Sequence, residues 1–388
     1  MSLRIFPAAM AFVFALIQFP VNAADDAVPL FKQESRAEKQ TEVSSRGLVG
    51  TGVIDDALWF ASSRAPRFTV EDGAGKTHVV AIESIEDHGG GSRTIVGVVE
   101  NSGEIPGTQR PTNARVIITM AESGAFGTIA LPDRTLSLRP AQKDESSRPL
   151  TMLFDSKLSG DVLFQGENDE LVLPPATVER QTAAGDDSPA EPVAIAAAPD
   201  GQAIVDILLL YTPGMVAAYG VNLDGRLNYL VAIANLAFLD SEVAIKLRVV
   251  GRQLVTYPDT FSNATALGAI MPGTPQSDPT LAPAIANLRN ATGADLVALI
   301  RPFNASSQLN CGMATVGGAG LTNIALYAEM AYSVSSDGRD ASAAKICDDA
   351  TFAHEIGHNM GLKHDRITVF NQEGTITFGA YPYSFGYG

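Results

Sequence analysis

Near its C-terminal end the chain reads His354-Glu355-Ile356-Gly357-His358-Asn359-Met360-Gly361-Leu362-Lys363-His364-Asp365, and this stretch constrains the fold more than any other. Residues four apart on a helix are neighbours, with Cβ atoms roughly 5–6 Å apart, so His354 and His358 can grip one ion. Zinc accepts neutral imidazole nitrogens, and a catalytic zinc site uses three protein ligands and leaves a position for water. Glu355, one step round the helix, is placed to take a proton from an attacking water. Gly361 can adopt the left-handed conformation that ends a helix sharply, which brings His364 back as third ligand. Asp348 or Asp349 can cap the first amides, and Phe352, Ile356 and Met360 form a stripe that can face a core. A helix whose histidines only satisfy core hydrogen bonds is the plainer reading. It fits poorly, because three of the five histidines fall here at ligand spacing with a carboxylate and a glycine in place.

At these residues the chain resembles the metzincin zinc endopeptidases, whose signature is H-E-x-x-H-x-x-G-x-x-H followed by a methionine-containing turn. Asp365, directly after the third histidine, points to the reprolysin-like (adamalysin-like) branch. The resemblance implies one catalytic Zn2+ on His354, His358 and His364, with Glu355 as general base and protein or peptide substrates. No methionine follows Met360 in the 388 residues. The expectation is a chain truncated before the Met-turn, with Ala380 to Gly388 as the lead-in to it.

The first residues read as a targeting segment. Arg4 supplies a positive start, Ile5 to Phe19 an apolar run, and Val21-Asn22-Ala23 a cleavage site. The run is short for a membrane span, contains Pro7 and is followed by Asp25 and Asp26. Export with removal of residues 1–23 is therefore expected, to the periplasm or the exterior, with no stable membrane anchor. A net charge of −16 argues against nucleic-acid binding.

Residues 24–178 are expected to form a mostly β domain. Arg67 to Val70 and Thr77 to Ile82 flank the turn Glu71-Asp72-Gly73-Ala74-Gly75-Lys76, which predicts a hairpin. Further β-rich runs follow at Thr94–Val99, Ala114–Met120, Phe126–Leu131 and Leu136–Leu138, as in a small sandwich or curled sheet. In position and in its short strands this unit resembles the propeptides of reprolysin-like zymogens, which implies an intramolecular inhibitor. A propeptide cysteine cannot block the metal, because the only cysteines, Cys311 and Cys347, lie in the second unit. His78, His88 and several acidic residues remain as blocking candidates, against the plainer reading of histidines solvated near turns. Trp59, the sole tryptophan, reads as core packing.

Residues 179–202 are rich in Ala, Pro, Asp and Ser without periodicity and are expected to be a linker open to processing. Residues 203–388 are then the catalytic unit. Ile204–Tyr211 reads as a buried strand, Leu223–Leu239 as a helix and Ile245–Val250 as a strand. A loop over Tyr257–Asp278, a helix over Leu281–Asn290 ended by Gly293, and a buried strand over Ala294–Ile300 follow. This order predicts a largely parallel sheet with helices against it. The fold class is α+β: an α/β-like zincin catalytic domain with a mixed, largely parallel sheet, preceded by a mostly β propeptide domain.

Tyr327–Val334 reads as another strand. The resemblance places the edge strand that pairs with substrate backbone between Cys311 and Leu321. Two cysteines in an exported chain predict a Cys311–Cys347 disulfide, against a pair of buried thiols. Asn263, Asn290 and Asn304 match the glycosylation sequon, which matters only in a source that uses it.

The function expected is a secreted zinc metalloendopeptidase made as a zymogen. The alternative from another class is a catalytically impaired homologue that binds peptides; intact Glu355 argues against it. A zinc hydrolase of non-peptide substrates is weaker, given the extended histidine motif. The organisation also resembles a secreted bacterial type that cleaves beside aspartate. Lys363 and Arg366 could attract acidic side chains, against the plainer reading as solvated groups at a helix end.

Overall fold

In the N-terminal half, β-branched runs separated by Gly and Pro pair into one mostly antiparallel sheet. The computed structural model describes residues 27–32, 47–61, 67–100, 114–141, 149–164, 166, 168–173, 201–319, 324–340 and 345–386. The expected targeting segment and nearly all of the expected linker lie outside them. The strands are β1 (Ala27–Pro29), β2 (Leu48–Gly52), β3 (Arg67–Glu71), β4 (Thr77–Gly89), β5 (Ser92–Val99), β6 (Arg115–Ala121), β7 (Gly124–Ala130), β8 (Thr135–Pro140) and β9 (Thr151–Asp155), with a one-turn helix α1 (Asp56–Trp59) after β2. They form one sheet in the order β1-β3-β4-β5-β6-β7-β8-β9-β2. The hairpin read at residues 67–82 is there, Val70 opposite His78.

One face of this sheet is covered by its own core, including Phe68, Val80, Ile95, Val116, Ile118 and Leu136, with Trp59 packed at its margin. On β6 the alternation then places Ile117 on the opposite face, where it meets Phe126, Tyr229 and Ala232. Both faces of β6 are therefore dry, and every residue after Arg115 is buried.

The second half supplies that cover. It contains β12 (Ala203–Tyr211), α2 (Pro213–Tyr219), α3 (Leu223–Asp240), β13 (Ile245–Leu254), α4 (Asn263–Ile270), α5 (Leu281–Thr292), β14 (Leu296–Pro302), β15 (Gly312–Thr315), β16 (Tyr332–Asp337), β17 (Lys345–Ile346), α6 (Thr351–Asn359) and α7 (Arg366–Glu373). Two short strands reach in from earlier in the chain, β10 (Val162–Leu163) and β11 (Glu170–Leu171). The larger sheet runs β11-β15-β16-β14-β12-β13, while β10 pairs with β17. All pairings in the larger sheet are parallel except β15 with β16. This is the mixed, largely parallel sheet of the expected fold class, with a β-rich N-terminal region ahead of it.

Periodicity explains these elements. β12 is paired on both sides, by β13 and β14, and Ile207 to Leu210 are fully buried between two layers of core. On α3, Leu227, Leu230, Val231 and Ala234 pack on the sheet, while Tyr229 and Ala232 face the N-terminal sheet. That contact is also polar: Asn228 Nδ2 donates to Ser92 Oγ at 2.8 Å, and Thr128 Oγ1 meets Tyr229 Oη at 2.6 Å.

Two local expectations are corrected. The strand read over Tyr327–Val334 begins at Tyr332; residues 324–330 form a 3-10 helix instead. Tyr327 is buried there with its hydroxyl donating to Ala319 O at 3.0 Å, so packing rather than strand pairing uses the aromatic side chain. The loop over Tyr257–Asp278 contains α4, capped by the Ser262 side chain, which accepts from Thr265 N. Asn263 of the first sequon is fully buried on Asn310 and Ser336, out of reach of a glycan.

Candidate active site

Helix α6 carries His354, Glu355 and His358, and its position follows from what flanks it. Phe352 and Ile356 are buried in the core shared with α3, with Met360 packed at its edge, as the stripe predicted. At the start, Asp348 Oδ1 accepts from Ala350 N at 2.7 Å, whereas Asp349 turns to Arg226. At the end, Asn359 Nδ2 donates to Thr315 O and Tyr332 O at 3.0 and 2.9 Å, tying the helix to β15 and β16. Gly361 then takes φ 92°, and a Cβ there would lie 2.7 Å from Gly317 O. Asp365 accepts from Ile367 N and Thr368 N and so starts α7. Cys311 and Cys347 are joined in a disulfide.

The turn brings the histidines together. His354 Nε2 lies 2.9 Å from His358 Nε2 and 3.2 Å from His364 Nε2. The Leu362 carbonyl, 2.8 Å from His358 Nδ1, accepts its proton and leaves Nε2 with a bare lone pair. Gln372 Oε1 does the same for His364 Nδ1 at 3.2 Å. Bare lone pairs aimed at one point repel each other unless a cation sits between them. The donor set therefore fits a metal ion that prefers imidazole, as zinc does.

A fourth donor completes the cluster. Asp169, just before β11, points its carboxylate at the same spot: Oδ1 is 2.7 Å from His364 Nε2 and 3.6 Å from His358 Nε2, and Oδ2 is 3.7 Å from His354 Nε2. Ligand atoms of Asp169 and the three histidines all lie within 4.8 Å of one another. Burial alone would raise the Asp169 carboxyl, but the imidazoles around it hold it well below the usual range. They in turn gain from it. Burial works against a charged His364, yet Asp169 and Glu170 raise its pKa. His78 and His88, the other blocking candidates, are engaged elsewhere, with Asp72 and Thr94.

Glu355 is fully buried, and neither carboxylate oxygen has a hydrogen-bond partner among the described residues. Burial pushes its carboxyl well above the usual range, and the charges of Asp169 and Glu170 push the same way. Its room comes from β15: a Cβ on Gly312 would lie 2.0 Å from Glu355 Oε1. β15 lies where the substrate strand was expected, but its outer edge is taken by β11, with Glu170 opposite Ala314 and Leu171 opposite Thr315.

Residues 201–385 match the metallo-peptidase family M12B, reprolysin-like. The catalytic unit is a reprolysin-like metallopeptidase domain of the metzincin type. The chain is also similar to two bacterial proteins named peptidyl-Asp metalloendopeptidase. One, from Pseudomonas aeruginosa, is 32% identical over 194 residues, covering 47% of this chain and 30% of that protein. The other, from Stenotrophomonas maltophilia, is 29% identical over 201 residues, covering 50% of this chain and 40% of that protein. The chain thus matches less than half the length of either relative. Among solved structures, metalloproteinase-II from Bacteroides fragilis aligns with a TM-score of 0.45 at 13% identity, over 84% of this chain and 88% of that one.

Proposed function

We propose that the chain is the latent form of a secreted zinc metalloendopeptidase. The observation that carries the reading is the convergence of three imidazole Nε2 atoms beside a fully buried carboxylate, Glu355, on one helix. His354, His358 and His364 would hold Zn2+, which when bound acidifies water and polarises a carbonyl. Glu355 supplies the proton traffic: a carboxylate oxygen takes a proton from the attacking water and returns it to the leaving amine nitrogen. A carboxyl raised by burial is suited to both steps near neutral pH. The edge of β15 would hold the substrate backbone by main-chain hydrogen bonds.

Latency follows from the same geometry in this reading. Asp169 stands where the attacking water and the scissile carbonyl must come, and β11 takes the strand edge that the substrate needs. The β-rich unit acts as the intramolecular inhibitor, and cleavage in residues 179–202 followed by withdrawal of β11 opens the cleft. Export rests on the apolar run Ile5 to Phe19 with its following acidic residues. Among the described residues no helix is long and apolar enough to cross a membrane. The relatives' name carries aspartate beside the cleaved bond over to this chain as the specificity to test.

The test is metal content and peptide hydrolysis side by side. After cleavage within residues 179–202, the enzyme made from the full chain should bind one zinc ion and cleave internal bonds of a peptide library. Glu355→Ala should keep the ion while hydrolysis falls by about 100-fold or more. Unchanged turnover in Glu355→Ala, or peptide binding without hydrolysis in the zinc-loaded wild type, would overturn the reading.

A further inference from the structure

Lys363 has no task in the chemistry above, yet it is 2% exposed, a depth at which lysine seldom lies without strong partners. Its ammonium has three N–H donors to place. Glu373 of α7 takes one, and Thr377 Oγ1, at 2.8 Å, takes another. Glu170 Oε2 forms an ion pair with the ammonium at 3.2 Å, without a hydrogen-bond partner among the described residues. The second oxygen of the same carboxylate, Oε1, accepts from the backbone N–H of His364 at 2.6 Å. Glu170 is itself 1% exposed on its side chain, so its carboxylate is enclosed and held from two sides.

Of these groups only Glu170 belongs to the segment that must leave. Glu170 follows Asp169 directly and lies on β11, whereas Lys363 and His364 N belong to the zinc-site turn. When β11 withdraws, the Lys363 ammonium and the His364 N–H remain, aimed at a hole the size of a carboxylate next to the histidines. An unfilled buried donor is costly, and two of them select for a group that accepts on both oxygens. An amide fits badly, because its NH2 would face a donor; an aliphatic side chain leaves both donors unpaired.

We propose that Lys363, with the His364 amide, is the specificity determinant for an acidic substrate side chain next to the scissile bond, and that Glu170 occupies this pocket as an internal acidic mimic in the latent chain. The inference rests on the peptidase reading and gives its substrate class: peptides with Asp or Glu beside the cleaved bond. The neighbouring positive group, Arg366, does not share the role, since its guanidinium lies over the Phe385 ring at 4.7 Å.

The test uses zinc-loaded enzyme, made from the full chain and cleaved within residues 179–202, and peptides that differ only at one residue beside the scissile bond: Asp, Asn or Leu. Wild type should prefer Asp over Asn by about 100-fold or more in kcat/KM. Lys363→Met should bring that ratio close to one while the Leu peptide is still cleaved and the zinc content is unchanged. Calorimetric binding of the same peptides to Glu355→Ala should show the same preference, and its loss in the Lys363→Met background, without any turnover. Should Lys363→Met misfold, Lys363→Arg keeps the charge in a longer side chain and should shift the Asp-to-Glu ratio by about tenfold through the changed reach. A wild type indifferent to Asp against Asn overturns the inference and leaves the peptidase reading intact. So does a Lys363 variant with an unmoved ratio. Zinc-loaded wild type that cleaves none of the peptides removes the peptidase reading, and this inference with it.

Discussion

Asp169 Oδ1 lies 2.7 Å from His364 Nε2, at the point where the ring nitrogens of three histidines converge. In the proposed latent peptidase, a carboxylate at that point competes with the groups that catalysis needs there. Asp169→Ala in the full chain is therefore expected to lose latency: peptide hydrolysis before linker cleavage should rise at least tenfold, on the order of one lost charge-assisted contact. The visible spectrum of the cobalt-substituted full chain should change with it, because one ligand candidate is gone. A latent Asp169→Ala chain with the wild-type spectrum would show that β11 alone closes the cleft.

Gly312 makes room for Glu355, and the prediction that follows separates the base from the metal. A methyl group there would sit 2.0 Å from Glu355 Oε1, too close to coexist with it. Gly312→Ala should therefore push the carboxylate out of its buried position while leaving the three histidines where they are. Zinc content should stay at the wild-type level, and hydrolysis by the processed enzyme should fall by about 100-fold or more. Loss of zinc in parallel with activity would show that the β15 backbone had moved instead.

The two partners in each of these relationships differ in how far the sequence could reveal them. His354, Glu355, His358, Gly361 and His364 are legible because a helix and one turn place them by local geometry alone, and the structure brings them together. Asp169 and Glu170 are not, because Glu170 meets His364 N across 194 residues of chain and no periodic pattern links the two. Acidic residues as a class were suspected of blocking the site; only packing selects Asp169 from among them. Gly312 likewise lay inside the stretch expected to hold the substrate strand, with nothing in the sequence to pair it with Glu355. The order β12-α3-β13-α5-β14 was legible from apolar periodicity over long elements. The 3-10 helix over residues 324–330 was not, since a short aromatic and apolar run looks the same in either state. Helix α4 had one usable signal, Ser262 ahead of small apolar residues.

A buried ionic hub fixes α6 from behind. Arg226 on α3 donates from Nη2 to Asp337 Oδ1 at 2.6 Å and also reaches Asp349, just before α6. Tyr219 Oη donates to Asp337 Oδ2 at 2.6 Å, and the Arg226 guanidinium lies 5.5 Å from the Phe126 ring centre of the N-terminal sheet. Asp337→Ala would leave the arginine buried with only the half-exposed Asp349, so we expect a destabilisation of about 3–5 kcal/mol in a denaturant titration. Asp349→Ala should cost clearly less, because its side chain is 32% exposed. Equal costs for the two would show that the hub is not organised around Asp337.

Asp365 links the third histidine to the fold, and its effect carries a pH signature. Its side chain accepts from Thr368 Oγ1, Thr368 N and Ile367 N, and these bonds, the Thr368 hydroxyl foremost, hold its carboxyl below the usual range. A carboxylate with a lowered folded-state pKa stabilises the fold above its unfolded-state pKa of about 3.9, and that contribution is lost as pH falls through the folded value. The melting temperature of Asp365→Ala should therefore lie below wild type near neutral pH, with the gap closing in acid as the wild-type carboxylate takes up its proton. A gap that stays constant from neutral to acid pH would assign the loss to packing at the start of α7 and not to the charged cap. The same variant should bind zinc more weakly at neutral pH, because the cap also fixes the turn that presents His364. Unaltered zinc affinity together with the lowered melting temperature would confine the role of Asp365 to α7.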